Sequence, residues 1–209
     1  DVTVHPISVY YAGQWRAPAS ELSFYVYAAQ NVFPHGNDAS DSAFKATRTD
    51  AKAAYRLYRY NLNYTRILPG DFQGRFALFG QETKDALVPG EQFGLGGADN
   101  VRGFEEREIN NDKGNRITLE LTTPDLAALW DWRSLRARLA GFFDWGQVKR
   151  NDPQPGDIVK ESISSAGMGV RIAAYNNYSL RLDMARVLQP GGTQQRGDWK
   201  LHGLLSALF

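Results

Sequence analysis

Trp199-Lys200-Leu201-His202-Gly203-Leu204-Leu205-Ser206-Ala207-Leu208-Phe209 is the stretch whose alternation decides the fold. Successive side chains of an extended strand point to opposite sides. Trp199, Leu201, Gly203, Leu205, Ala207 and Phe209 therefore share one face, and Lys200, His202 and Ser206 share the other. The same period of two recurs upstream. Leu180, Leu182 and Met184 alternate with Ser179, Arg181 and Asp183, and Ala166, Met168, Val170, Ile172 and Ala174 with Gly167, Gly169 and Arg171. Leu135, Ala137, Leu139, Gly141 and Phe143 alternate with Arg136, Arg138 and Asp144, and Ile117, Leu119 and Leu121 with Arg116, Thr118, Glu120 and Thr122. Residues 72–78, 58–64, 22–28 and 7–15 repeat the pattern. About nine strands result, most of ten residues or more. Soluble strands usually run to ~5–6 residues, whereas ~9–11 are needed to cross a bilayer at a tilt.

Composition narrows the function classes. The 209 residues carry 24 Lys plus Arg against 23 Asp plus Glu, a formal charge of +1, so no bulk attraction to nucleic acid or acidic lipid is expected. Hydrophobic residues make up 43%, too many for disorder, yet mean hydropathy is −0.44 and no apolar run nears the ~18 residues of a spanning helix. Cysteine is absent, which excludes disulfides, thiol catalysis and cysteine-bound metal. Its absence also suits a protein that crosses an oxidising periplasm unfolded. His5, His35 and His202 are scattered without ligand spacing, and no nucleophile context surrounds any Ser or His, so no metal, cofactor or enzymatic chemistry is expected. Asp1-Val2-Thr3-Val4-His5 has neither the basic start nor the apolar block of a signal peptide; either the signal was removed or the chain begins in mid-protein.

Alternation with charged polar faces fits a soluble β-sandwich as well as a membrane barrel with a wet lumen. The connections separate the two. Residues 17–21 make a short one and Pro34 to Asp50 a long one. Leu68-Pro69-Gly70-Asp71 is tight, and Lys84 to Gly114 is very long. Pro124 to Arg133 is intermediate, Lys149 to Ile163 long, Asn176-Asn177 a two-residue turn, and Gln189 to Gly197 longer again. Every long connection falls on one side, as in an up-and-down barrel with short turns on one side of a membrane and long loops on the other. The expected fold class is therefore all-β, an antiparallel up-and-down transmembrane β-barrel. A final aromatic is how outer-membrane barrels present their last strand to the assembly machinery, making Phe209 the candidate assembly signal; Ala207 stands where a second bulky residue is usual. Bacterial single-chain barrels have even strand numbers, and an open sheet in lipid leaves unpaired backbone groups costing several kcal/mol each. About nine strands thus imply that more precede Asp1, with residues 1–209 the C-terminal part of the barrel.

The long connection 84–114 contains Phe93-Gly94-Leu95-Gly96-Gly97-Ala98-Asp99-Asn100-Val101-Arg102-Gly103-Phe104. It mixes glycines, which allow tight folding, with Phe93, Leu95, Val101 and Phe104, which favour burial; a compact loop tucked into the lumen meets both demands. A G-x-G-x-x-G dinucleotide reading fails, because Asp99 occupies the last glycine position and no helix follows.

Gly96, Gly97, Val101, Arg102, Gly103 and Phe104, followed by Glu105-Glu106-Arg107-Glu108 and Gly114, resemble the characteristic loop of two-partner secretion transporters. These are the hemolysin secretion/activation proteins of the wider outer-membrane assembly superfamily. Phe142, Asp144 and Gly146 match that family's F-x-D-x-G strand motif, and residues 119–124, 167–171 and 180–183 read like it too. The resemblance, from roughly Pro6 to Phe209, implies a sixteen-stranded barrel in the bacterial outer membrane, preceded by periplasmic domains that recognise a secreted exoprotein. It implies that the loop folds back into the lumen with Arg102 paired to Asp144. The strand phases separately put Phe142 and Asp144 on the polar side. The implied function is export of a large partner protein through the lumen without a cofactor. The implied partners are that exoprotein, the outer-membrane bilayer and the assembly machinery, and no nucleic acid. The rivals are an insertase of the same superfamily, a passive porin, and an enzyme of the kind that carries a lipase domain before the barrel. Glu105, Glu106 and Glu108 beside Asp112 read as a solvated charge cluster, and Arg196-Gly197-Asp198 as turn chemistry.

Overall fold

Cross-strand register turns the alternation into two faces. The computed structural model describes residues 2–32, 36–130, 132, 134–175 and 177–208. In chain order it contains β1 (Pro6–Ala17), β2 (Ser20–Asn31), the helix α1 (Asp41–Thr47), β3 (Arg56–Ile67), β4 (Gln73–Glu82), β5 (Phe93–Leu95), β6 (Ile109–Asn111), β7 (Lys113–Thr122), β8 (Leu135–Lys149), β9 (Lys160–Ala174), β10 (Tyr178–Gln189) and β11 (Trp199–Ala207). Nine strands form one sheet in the order β1-β2-β3-β4-β7-β8-β9-β10-β11, every pair antiparallel, while β5 and β6 pair only with each other. This is the all-β, up-and-down arrangement expected from the sequence. Among the described residues β1 and β11 are the two edges of the sheet.

Residues directly opposite one another share a face. One row across all nine strands reads Trp15, Leu22, Tyr64, Phe76, Leu119, Phe143, Ala166, Arg186, Trp199. The row one step along reads Gln14, Ser23, Asn63, Ala77, Thr118, Asp144, Ser165, Val187. The first face is apolar and uncovered: Leu119, Leu139, Met168, Leu201 and Leu205 are 48%, 49%, 66%, 68% and 72% exposed. Soluble proteins do not leave an apolar face of this extent bare. Nothing packs on it among the described residues, so the sandwich alternative fails.

The buried side chains lie on the other, inner face. Phe93, Leu95, Val101, Phe104 and Ile109 of the long loop pack on Val148, Ile163 and Val187 of the strands. The sequence reading set the charged polar faces toward a wet lumen; beside the loop the inner phase is dry. Val148, Ile163 and Val187 sit on that phase and are almost fully buried, because the loop supplies apolar groups that need an apolar seat. A second cluster, at the end where the long connections emerge, joins Phe44 of α1 to Tyr55, Leu57, Leu87 and Val88. The connection read as a plain loop thus holds a helix, capped by Ser40, whose side chain accepts from the backbone N–H of Ala43 at 3.3 Å. The expectations placed on Pro34, His35, Arg133, Asn176 and Phe209 lie outside the described residues.

Candidate functional site

The connection between β4 and β7 folds back over the inner face. Its stem is the β5–β6 hairpin, with Phe93 opposite Asn111 and Leu95 opposite Ile109. Gly96 has φ +108, and a Cβ there would lie 2.2 Å from the Glu105 carbonyl oxygen, so only glycine permits the chain to reverse at this point. Gly97 follows in the same region of φ and its carbonyl accepts from Asn100 N–H at 3.1 Å, closing the turn that carries Val101 and Arg102.

Arg102 is the focus of the site. Its Nε donates to Asp144 Oδ2 at 2.7 Å, its Nη2 to Asp144 Oδ1 at 3.0 Å, and its backbone N–H to Oδ2 at 3.2 Å. Nη1 donates to Glu120 at 2.8 Å and to Asp183 at 3.4 Å. The guanidinium carbon lies 3.4 Å from the centre of the Phe142 ring. Asp144 and Asp183 are fully buried and Arg102 is 2% exposed. A planar fork that meets a carboxylate edge-on while its face rests on a ring is a task for arginine and not lysine.

Two more arginines complete the network. Arg171 donates to Glu120 at 3.2 Å and to Asp183 at 2.7 Å. Arg181 donates to Asp183 at 2.6 Å and reaches over to Asp99 at 2.7 Å and the Ala98 carbonyl at 3.1 Å, gripping the loop tip. Three guanidiniums thus face three buried or near-buried carboxylates, which balances charge in a place where an unmatched ion is costly. Gly103 N–H donates to His202 Nε2 at 2.9 Å, and Phe104 is buried beside it. Gly146 is where Leu95 presses on β8; a Cβ there would meet the Leu95 side chain at 2.6 Å.

The loop is also held at its base and back. Asp112 accepts from Arg48 through both oxygens, from Leu87 N–H at 2.8 Å and from Asn151 N–H at 2.7 Å. Arg48 returns bonds to the Leu87 and Asn151 carbonyls, each at 2.9 Å. Asp112 is fully buried, so its grouping with solvated acids in the sequence reading is corrected. Glu108 accepts from the Thr193 hydroxyl and backbone N–H, each at 2.6 Å. Burial alone would raise its carboxyl pKa, but the Thr193 and Glu105 hydrogen bonds and nearby Lys200 bring it below the usual range.

The structure therefore brings Gly96, Gly97, Val101, Arg102, Gly103 and Phe104 together with Phe142, Asp144 and Gly146. Sequence reasoning missed Arg48, Asp112 and His202 at this site. It saw Glu120, Arg171, Arg181 and Asp183 only as lumen-phase charges. His202 was legible as a polar-phase residue of the last strand, but nothing in the sequence tied it to the loop.

Residues 21–172 match the family described as haemolysin secretion/activation protein ShlB/FhaC/HecB. No curated protein matches the chain. Among solved structures, CdiB from Acinetobacter baumannii superposes with a TM-score of 0.70 at 18% identity, over 96% of this chain and 32% of its own. CdiB from Escherichia coli gives 0.74 at 15% identity, over 97% of this chain and 36% of its own. At these identities the likeness is one of fold, and the present chain spans about a third of either structure.

Proposed function

Because this chain belongs to the haemolysin secretion/activation family, we propose that it is part of an outer-membrane transporter that exports a large partner protein through the lumen of a β-barrel. In this reading the nine strands join others to close the barrel, the apolar face meets lipid, and the inner face lines the path. The loop of residues 84–114 is the movable element. The observation that carries the proposal is the seat of Arg102 on Asp144, which keeps a folded loop against the inner wall by contacts that can be broken and remade. A passive porin needs no such charge-matched loop. The work is done without cofactor or bond chemistry; with no nucleotide at hand, folding of the partner outside the cell supplies the drive. An insertase of the same superfamily is the second reading, favoured only by the loop motif that both branches share.

The test is secretion by the full-length transporter expressed in the outer membrane with its partner. Wild type should deliver partner to the medium. Arg102→Ala should cut delivery sharply while the barrel stays folded, as judged by heat-modifiable migration. Wild type that delivers no partner but promotes insertion of other barrels would favour the insertase. Undiminished delivery by Arg102→Ala would remove the loop from the mechanism.

A further inference from the structure

Two arginines on the inner wall depart from the matched charge around the loop tip. Arg102, Arg171 and Arg181 each meet a carboxylate. Arg75 on β4 and Arg116 on β7 form no ion pair among the described residues. Arg75 donates from Nη2 to Asn63 Oδ1 at 3.2 Å, and Arg116 donates from Nη1 to the backbone carbonyl of Asp99. Both line one cavity of about 270 Å³ between the loop tip and the wall.

The register explains why the space is there. Asn63, Ala77 and Thr118 are consecutive partners across β3, β4 and β7, so short side chains floor the cavity. Arg75 lies opposite Glu120 and Arg116 opposite Phe79, four residues apart along the ladder, or about 13 Å of strand. The two long side chains close that gap from opposite ends. Phe79 holds the Arg116 guanidinium with its carbon 5.2 Å from the ring centre. Each guanidinium has five N–H donors in a fixed fork whose natural complement is a carboxylate. The two carboxylates that line the cavity, Asp99 and Glu120, are held by Arg181 and by Arg102 and Arg171, which leaves Arg75 and Arg116 with single bonds to an amide and a carbonyl oxygen.

We propose that this cavity is a carboxylate-binding site whose ligand is an acidic side chain of an extended polypeptide in the lumen. The proposal rests on the export reading. A polypeptide ligand follows from the export reading, since the cavity lies beside the loop tip on the inner face, against β3, β4 and β7. Engaging Arg116 would also draw it away from the Asp99 carbonyl, so an arriving acidic residue loosens one hold on the tip.

The experiment uses the full-length transporter in detergent and two fluorescein-labelled probes, hexaglutamate and hexaglutamine, read by anisotropy at low salt. Hexaglutamate should bind about tenfold tighter or more. Arg75→Gln/Arg116→Gln should bring the two within about twofold of each other, whereas Arg16→Gln, at a pair with Glu21 elsewhere on the face, should leave the preference intact. Equal binding of both probes to wild type, or an unchanged preference in the double variant, overturns the site. If that variant does not fold, wild type gives the second reading. Acidification through the glutamate range near ~4.3 should abolish the preference for hexaglutamate, and a preference that survives overturns the proposal. Acetate displacing the probe at the probe's own carboxylate concentration would make this a small-anion site and overturn the polypeptide part. Partner delivery to the medium is scored separately. A wild type that shows no probe preference yet delivers partner sinks the site alone; a wild type that shows the preference but exports nothing sinks the export reading instead.

Discussion

Arg102 touches three carboxylates and a ring, so its removal is not the loss of a surface ion pair. Breaking a well-buried pair typically costs ~3–5 kcal/mol, because the partner is left charged and unmatched. Arg102→Ala leaves Asp144 without its fork, yet the nine-strand ladder does not depend on that contact. We expect the barrel to fold while residues 96–108 become open to protease and hydrogen exchange. Arg102→Lys should restore protection only in part, since one ammonium cannot bridge Asp144 and Glu120 while lying on Phe142; full protection in the lysine variant would contradict the geometry. Arg48 and Asp112 should couple in a double-mutant cycle by about 0.5–3 kcal/mol, since both are buried and share their backbone partners. Glu108 supplies a pH test. Its folded pKa is depressed, so its contribution is present above the unfolded value of ~4.3 and is lost as pH falls through the lower folded value. Exchange near residues 105–108 should rise on acidification below ~4, and Glu108→Gln should lack that step. The Arg102–Asp144 pairing was legible only through the resemblance of two motifs to a known family; the strand phase by itself put Asp144 on the inner side and named no partner. Arg48 and Asp112 were not legible, since they lie 64 residues apart on connections that carry no period.

At the scale of the element, the strands were legible because each is long enough for its alternation to repeat several times. The rule failed where its premise failed. Alternation reads polar positions as wet, and near the loop the inner phase is dry. Val148 follows Phe142, Asp144 and Gly146 on one phase of β8, so the change from polar to apolar along a single strand was the available signal. Helix α1 was missed for another reason: its seven residues make about two turns, too few for a period of 3.6 to stand out. The two faces differ in their tolerance of charge. Leu139→Arg, near mid-strand on the outer face, should cost about 2–4 kcal/mol of folding into vesicles, while Ser23→Arg on the inner face, opposite Gln14 and Asn63, should cost little. Equal damage at both positions would mean that both faces are buried in packing rather than one in lipid.

For the whole molecule, the decisive feature is that the long connections gather at one end and hold one another. Gln154 donates to Asp50 at 3.0 Å, Asn151 to the Thr83 carbonyl at 3.1 Å, and Thr193 to Glu108 at 2.6 Å, so the connections at 36–55, 83–112, 150–159 and 190–198 form one assembly. The sidedness was legible in the spacing of the connections, but this mutual contact was not, because loops carry no pairing rule. The export reading puts that end outside the cell and the short turns in the periplasm. The chain has no cysteine, so single cysteines introduced into it report their own positions. Pro155→Cys, exposed in a long connection, should react with an impermeant maleimide on intact cells, and Ala19→Cys, exposed in a short turn, should react only after lysis. The reverse pattern would invert the orientation. Asp99→Cys on the loop tip is the informative third probe. With the loop seated, Arg181 holds Asp99 against the inner wall, away from the end where the long connections gather, and labelling should lag behind that of Pro155→Cys. Adding Arg102→Ala removes the charged hold of the loop on Asp144 of β8 and should speed labelling at position 99 without changing it at 155. Fast labelling at 99 with Arg102 intact would mean that the tip is already free in the resting molecule, and a seated loop could then not be what separates the closed path from the open one.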